Sequence, residues 1–427
     1  MNGGEMNILV CGARGFIGAA LCDALTRDGY RVFKGVRNGK DVAIDYATDT
    51  DPAVWVPRLR DIDVVINAVG ILVERRDQTF DLLHRRAPIA LFEASCQAGV
   101  KHIVQISALG AETGTTSYFQ SKRAADDHLQ TLPVRHHILR PALVYGTAGA
   151  SARFFRALAS APIHPLPAGG HQLLRPIHVD DLADIVVDLL RSERVPEADG
   201  QPLDLVGGTQ VAYRDMLAAY RQSLGFPAAW RVAIPAPLIA LGATLLDRVP
   251  GSVLTRDTWR MLNQGNTAEV ATTAKVLGHL PAGVDDFIRP QDAPALRHEA
   301  LSTWRGPLLR GALAVTWIGT AICSAFIHPQ AASLDLLARV HLHGAPALAM
   351  LYLASALDLV LGMATLLRPG RRLWAAQAAL IAGYSILIAI ALPEFLWHPF
   401  GPILKNVPIL ALLFVLLSEE RGNKETS

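Results

Sequence analysis

The C-terminal part of this 427-residue chain leaves the fewest folding options. From Gly311 to Ile327 there is no charged residue, and from Gly344 to Leu367 only Asp358. Leu373–Leu392 is again uncharged, and Ile403–Leu417 carries only Lys405. Runs of this kind approach the roughly 20 apolar residues needed to cross hydrocarbon, the last being short. Backbone groups in lipid must bond within their own segment, so spanning runs are helices. A soluble helical bundle is the alternative, but its helices would need polar faces, and these runs have none. The runs Gly311–Ile327, Pro346–Leu367, Leu373–Leu392 and Ile403–Leu417 therefore predict a four-helix transmembrane bundle. Arg305, Arg310, Arg368, Arg371, Arg372, Arg421 and Lys424 fall on one side of it, against Arg339 and Lys405 on the other. Seven basic residues against two put both termini, and all that precedes the bundle, on the cytoplasmic face of a multi-pass inner (plasma) membrane protein.

Upstream the pattern is different. Asn7–Cys11 reads as a short buried strand, and Gly15–Arg27 has helical spacing, with Gly29 as its stop. Between them lies Gly12-Ala13-Arg14-Gly15-Phe16-Ile17-Gly18, a GxxGxxG loop in the strand-turn-helix setting that gives such a motif meaning. Gly12 permits the tight turn, Gly15 lets the backbone approach a pyrophosphate, and Gly18 lets helix and strand pack closely. The helix start then offers free N–H groups to phosphates. Further strands are expected at Arg31–Val36, Asp63–Asn67, His102–Ile106 and His136–Leu139, with a long helix over 78–98 closed by Gly99. Strands alternating with helices predict an α/β, doubly wound Rossmann parallel sheet. Three regions follow: a dinucleotide-binding Rossmann core over 6–146, the rest of the same unit with a small substrate lobe over 147–304, and the membrane region over 305–427. Prolines multiply in the lobe. Val232–Leu246 is apolar but short and interrupted by Pro235 and Pro237, so it reads as a core or interfacial helix and not a span.

Composition excludes some classes. A net charge of +2 provides no basic field for nucleic acid. Cys11, Cys22, Cys96 and Cys323 form no CxxC pair and read as reduced thiols. His341 and His343 are two apart and would leave opposite sides of a helix, so no metal site is expected.

The chemistry is carried by few residues. The second strand ends Val36-Arg37-Asn38 without the acid that would bind an NAD ribose. Arg37, and Arg14 within the loop, could instead meet a 2′-phosphate, so NADP(H) is expected, with NAD as the alternative. Tyr118-Phe119-Gln120-Ser121-Lys122 is a YxxxK motif. One helical turn sets the Lys122 ammonium beside the Tyr118 phenol. A nearby cation would lower the phenol pKa and let Tyr118 exchange a proton with a carbonyl or alcohol during hydride transfer. Ser107 follows the strand His102–Ile106, at the end of the sheet where such folds bind ligands, and its hydroxyl is expected to hold the reacting oxygen.

With these residues in place, the chain resembles the extended and atypical short-chain dehydrogenases/reductases, of the NAD-dependent epimerase/dehydratase kind. GARGFIG, Asn67 in INAVG, Ser107 in ISALG, YFQSK, LRPALVYG and IHVDDLADIV occur in the expected order. Leu254–Gln264 is similar to the subgroup containing the nucleotide-binding accessory subunit of respiratory complex I. The resemblance covers about residues 6–300. It implies that Asn67 with Ala68, Pro141 and Val144 line the cofactor and that His178 and Asp180 are structural, Asp180 suiting an N-cap. The C-terminal part resembles the DoxX-like membrane family, through Trp317/Gly319, Leu357–Gly362, Tyr384, Pro393-Glu394 and His398–Pro402 before Lys405-Asn406. Asp358, within a span, is expected to face the bundle and find a partner. Taken together, the sequence predicts a membrane-anchored oxidoreductase acting on a small, hydrophobic molecule. Membrane protein partners remain open, as do epimerisation or dehydration with the same residues and a purely structural nucleotide-binding role.

Overall fold

The computed structural model describes residues 6–37, 41–191, 201–247, 255–397, 401 and 403–419. It divides into two compact units, the first ending at Ala300 and the second beginning at Leu301.

The first unit is built on a seven-stranded sheet ordered β11-β6-β5-β4-β1-β2-β3 with every pairing parallel. The strands are β1 Asn7–Cys11, β2 Arg31–Val36, β3 Val42–Ala43, β4 Val64–Asn67, β5 His102–Ile106, β6 Arg135–Pro141 and β11 Leu203–Leu205. Helices α1 Phe16–Arg27 and α6 Val179–Arg191 pack against one apolar cluster, centred on Ile8, Val10, Ile66 and Leu139. α3 Ala87–Ala98 and α4 Ser117–Gln130 pack against the other, centred on Leu9, Val65, Ile103 and Ile138. Alternate residues of β1 thus feed opposite layers, which is why its run is apolar throughout. The chain proceeds from β1 to β2 and β3, then returns to β4 on the other side of β1. Order reverses there, so a crevice opens at the carboxyl ends of β1 and β4.

The expected helix over 78–98 is interrupted. Asp81–Arg86 forms a π-helical turn before α3, and Gly99 caps α3 in the left-handed region at φ 76°. Asp180 is not an N-cap: it lies in the first turn of α6, and the imidazole Nδ1 of His178 accepts its N–H at 3.2 Å. A ring nitrogen one residue ahead of the helix thus fills the role expected of the carboxylate.

The lobe adds β7 Val144–Tyr145, α5 Ala150–Ser160, β8 Ile163–Pro167, β9 Leu173–Leu174, β10 Ile177–His178, β12 Val211–Ala212, α7 Tyr213–Ser223, β13 Trp230–Ile234, α8 Ala236–Leu246, α9 Arg256–Gln264 and α10 Val270–Leu277. Its core holds Tyr145, Tyr220, Phe287 and Met216.

The second unit is helical: the C-terminal part of α11 (Ala293–Ile322), then α12 Gln330–Arg339, α13 Gly344–Leu367, α14 Arg371–Ala391 and α15 Asn406–Glu419. Among the described residues, three helical stretches are long and apolar enough to cross a membrane: Ala293–Ile327, Gly344–Leu367 and Arg371–Ala391. The fourth expected span is short, as its run suggested. α15 has 14 residues, about 21 Å at 1.5 Å per residue, against a hydrocarbon core of about 30 Å. α12 was not expected. Inside this unit the Trp317 indole donates to Gln377 Oε1 at 3.0 Å, and Gln377 Nε2 donates to Thr365 at 2.8 Å, joining α11, α14 and α13. Asn406 Nδ2 donates to Ser385 at 2.8 Å, joining α15 to α14. Asp358 is buried as expected, but its Oδ1 has no hydrogen-bond partner among the described residues. His398–Phe400 and Pro402, with Arg421 and Lys424, lie outside the described residues.

Candidate active site

The glycine loop is shaped as its spacing predicted. Gly12 sits at φ 81°, where an L side chain is strained. A Cβ on Gly18 would lie 2.1 Å from Gly12 O, so helix and turn can approach only with glycine there. A Cβ on Gly15 would come 3.0 Å from the same oxygen. Gly15 is also the N-cap of α1, with no side chain closing the helix end and no acid in the first turn. The N–H groups around Phe16 and Ile17 thus head a helix whose positive end is neither capped nor neutralised. Ala68 C and O lie 3.2 Å from a Cβ built on Gly12, so the segment after β4 forms the facing wall. These features fit a bound dinucleotide phosphate. Arg14 and Arg37 are both exposed, with no hydrogen bond or ion pair among the described residues; Asn38 lies outside them.

Asn67 has a different position from the one the resemblance implied for its side chain. It is completely buried, accepts from the Tyr46 hydroxyl at 2.9 Å and from Val69 N at 3.2 Å, and donates to Gln105 at 2.7 Å. Its carboxamide is spent on holding the wall segment in shape. Pro141 ends β6 and is buried, and Val144 opens β7 and is partly buried.

Thr116 caps α4 by accepting from Phe119 N, which starts the helix just ahead of the YxxxK residues. Lys122 is buried. Its ammonium donates to Ile106 O at 3.1 Å and Val69 O at 3.4 Å, at the carboxyl ends of β5 and β4. Burial lowers its pKa to about 8, against the pull of Asp126. Tyr118 stands among Phe80 (5.8 Å between ring centres), His84 (5.4 Å) and Phe119 (5.4 Å), all edge-on. Its hydroxyl has no hydrogen-bond partner among the described residues. The expected lowering of its pKa is not found. Burial, with Asp126 adding to it, pushes the phenol up to about 12. The aromatic surround disfavours phenolate, and the lysine is turned to backbone carbonyls.

Ser107, expected to face the reacting oxygen, donates instead to the Asp126 carboxylate at 2.5 Å. Asp126 is fully buried, and burial raises it to about 6 despite Ser107, Lys122 and Arg140.

Sequence reasoning missed Asp126 and His84. The π-helical turn aims the His84 ring at Tyr118. His84 Nε2 accepts from Ile71 N at 3.0 Å, so the proton sits on Nδ1, which donates to Ser121 Oγ at 3.0 Å. Ser121 in turn donates to Tyr118 O at 2.8 Å. Burial, with Lys122 nearby, lowers His84 to about 2, so the ring stays neutral. Asp126 falls at i+4 from Lys122 and could have been seen as a helical neighbour; nothing local flagged His84.

Comparison with known proteins agrees with this architecture. Residues 8–199 match the NAD dependent epimerase/dehydratase family, and residues 314–414 match the DoxX-like family. The two matches fall in the two units separately, the epimerase/dehydratase match in the first and the DoxX-like match in the second. A ceramide reductase of Caulobacter vibrioides is 27% identical over 197 residues, which are 43% of this chain and 61% of that protein. The chain thus spans about six-tenths of the length of that relative. A nucleoside-diphosphate-sugar epimerase from Staphylococcus aureus superposes with a TM-score of 0.53 at 19% identity, over 66% of this chain and 99% of its own. An NADPH-dependent quinone oxidoreductase of Escherichia coli gives 0.52 at 17% identity, over 66% of this chain and 98% of its own.

Proposed function

We propose that the chain is a membrane-held, NADP(H)-dependent reductase of a hydrophobic carbonyl compound, with Tyr118 as the proton donor. The observation that carries this reading is the Tyr118 phenol, unbonded and held protonated, one turn from a buried lysine at the sheet's ligand-binding end. When bound, the nicotinamide supplies the hydride that a carbonyl carbon accepts. Tyr118 gives its proton to the carbonyl oxygen as charge develops there, and solvent reprotonates the phenolate. A phenol near 12 remains an acid at neutral pH, which favours reduction over alcohol oxidation. Lys122 orders the segments after β4 and β5 through its bonds to Val69 O and Ile106 O. Ser107 acts through Asp126 and not on the substrate. Arg37 and Arg14 support a 2′-phosphate contact, and the similarity to a ceramide reductase supports a lipid-like substrate. The basic residues flanking the apolar helices support a cytoplasmic position for the reductase unit.

The test is NADPH oxidation by the full chain in lipid, screened against long-chain carbonyl compounds. Tyr118→Phe removes one hydroxyl that bonds nothing, so abundance and cofactor affinity stay unchanged while turnover falls by about 10²–10⁴-fold. Full turnover in that variant would remove Tyr118 as the proton donor, and no turnover by the unaltered chain with any of the compounds would favour the competing reading, a structural nucleotide-binding module.

A further inference from the structure

An apolar surface on the lobe has no role in the chemistry above. β8 and β13 pair in parallel, with Trp230 opposite Ile163 and Val232 opposite Pro165. These four side chains share one face of the two-stranded sheet and all are exposed, Trp230 by 78%, while the alternate β8 residues His164 and Leu166 are buried beneath. The chain then turns at Pro235 into α8, which buries only Ile239 and Ala243. Leu238, Leu241 and Leu245 project from it, each more than half exposed. No charged residue occurs from Val232 to Leu246. Eleven residues make a helix of about 16 Å, far too short to span, so apolar contact with lipid can only be lateral.

We propose that this face, Ile163 and Trp230 with the outer side of α8, seats in the interfacial layer of the bilayer. The bilayer is its occupant because, among the described residues, the same chain carries three helices long and apolar enough to cross a membrane, which tether the lobe to it. A water-facing unit gains nothing by exposing a tryptophan and three leucines, whereas at a membrane surface their burial is favourable. Trp230 suits the headgroup boundary, with an apolar ring and a polar N–H. Arg231, between Trp230 and Val232 in the strand, is exposed and can remain in water or meet phosphate. The seat does not depend on the reductase reading, since it uses none of the residues around Tyr118.

The experiment is site-specific photocrosslinking from Leu241 of the full chain in native membranes, with a benzophenone side chain. Leu353, exposed within α13, is the lipid-positive control, and Gln222, exposed at the end of α7, the aqueous one. Lipid adducts are expected from positions 241 and 353 and not from 222. An adduct from 241 to protein, whether a second copy, another chain or this chain's own helices, would overturn the proposal. So would no adduct at 241 when 353 reacts. Activity plays no part in the readout, so failure here leaves the reductase reading standing.

Discussion

The two units bury opposite things. In the first, Ile8, Val65, Ile103 and Leu139 are wholly inside, with a few charged side chains such as Lys122, Asp126 and Arg156 among them. In the second, Val360, Ile390 and Phe414 are each more than 60% exposed while Gln377 and Thr365 are completely buried. Water drives apolar side chains inward in one, and lipid removes that drive in the other, leaving close packing and interhelical hydrogen bonds to hold the helices. Each unit also has a glycine at a close approach, and these respond to different neighbours. A Cβ on Gly18 would strike backbone, 2.1 Å from Gly12 O; one on Gly362 would meet the Ile318 side chain, 2.6 Å from Cγ1.

Four measurements would break or sharpen that contrast. Gly18→Ala has the largest effect, about 3 kcal/mol or more from the first unit with loss of cofactor binding, because a main-chain oxygen cannot move aside. Gly362→Ala costs about 1–2 kcal/mol, because a side chain can rotate. Separate thermal unfolding of the two units reads both, and equal losses would remove the distinction. Next comes buried polarity. Asn67→Leu leaves Tyr46, Gln105 and Val69 N unpaired and costs about 3 kcal/mol in the first unit. Gln377→Leu breaks two bonds yet costs only about 1 kcal/mol, since polar groups in a membrane find other partners when helices separate. Chemical denaturation in lipid discs ranks them, and a larger loss from Gln377→Leu would reverse the argument.

The third concerns Arg37. NADPH should bind at least ten-fold more tightly than NADH, about 1.4 kcal/mol, and Arg37→Asp should close the gap. Calorimetric titration giving equal wild-type affinities would remove the 2′-phosphate assignment. The fourth measurement is with pH. The folded pKa of Lys122 is about 8 against an ordinary 10.5. In that window the unfolded chain holds a proton that the folded chain lacks, so stability rises with pH relative to Lys122→Met. Turnover that needs the ammonium falls over the same window. Opposite slopes for melting temperature and turnover, both absent in Lys122→Met, are the expected result.

The regular sheet and the chemistry-bearing motifs were legible because their signals are local. β1, β2 and β5 begin and end where their apolar runs do, the GxxGxxG loop fixes its own turn, and a charge-free run needs no distant partner to demand lipid. What was not legible is which distant residues the side chains meet. Ser107 was expected at the reacting oxygen and proved bound to Asp126, 19 positions along. His84 meets Ser121 across 37 positions and Trp317 meets Gln377 across 60. A side chain's periodicity reports which face it occupies, while its hydrogen-bond partner is chosen by how separate elements come together. Sequence thus determined the sheet, the cofactor loop and the demand for a membrane. Tertiary structure alone decided that the Tyr118 phenol is pushed up and not lowered, because the Phe80 and His84 rings that help bury it come from a separate segment of the chain.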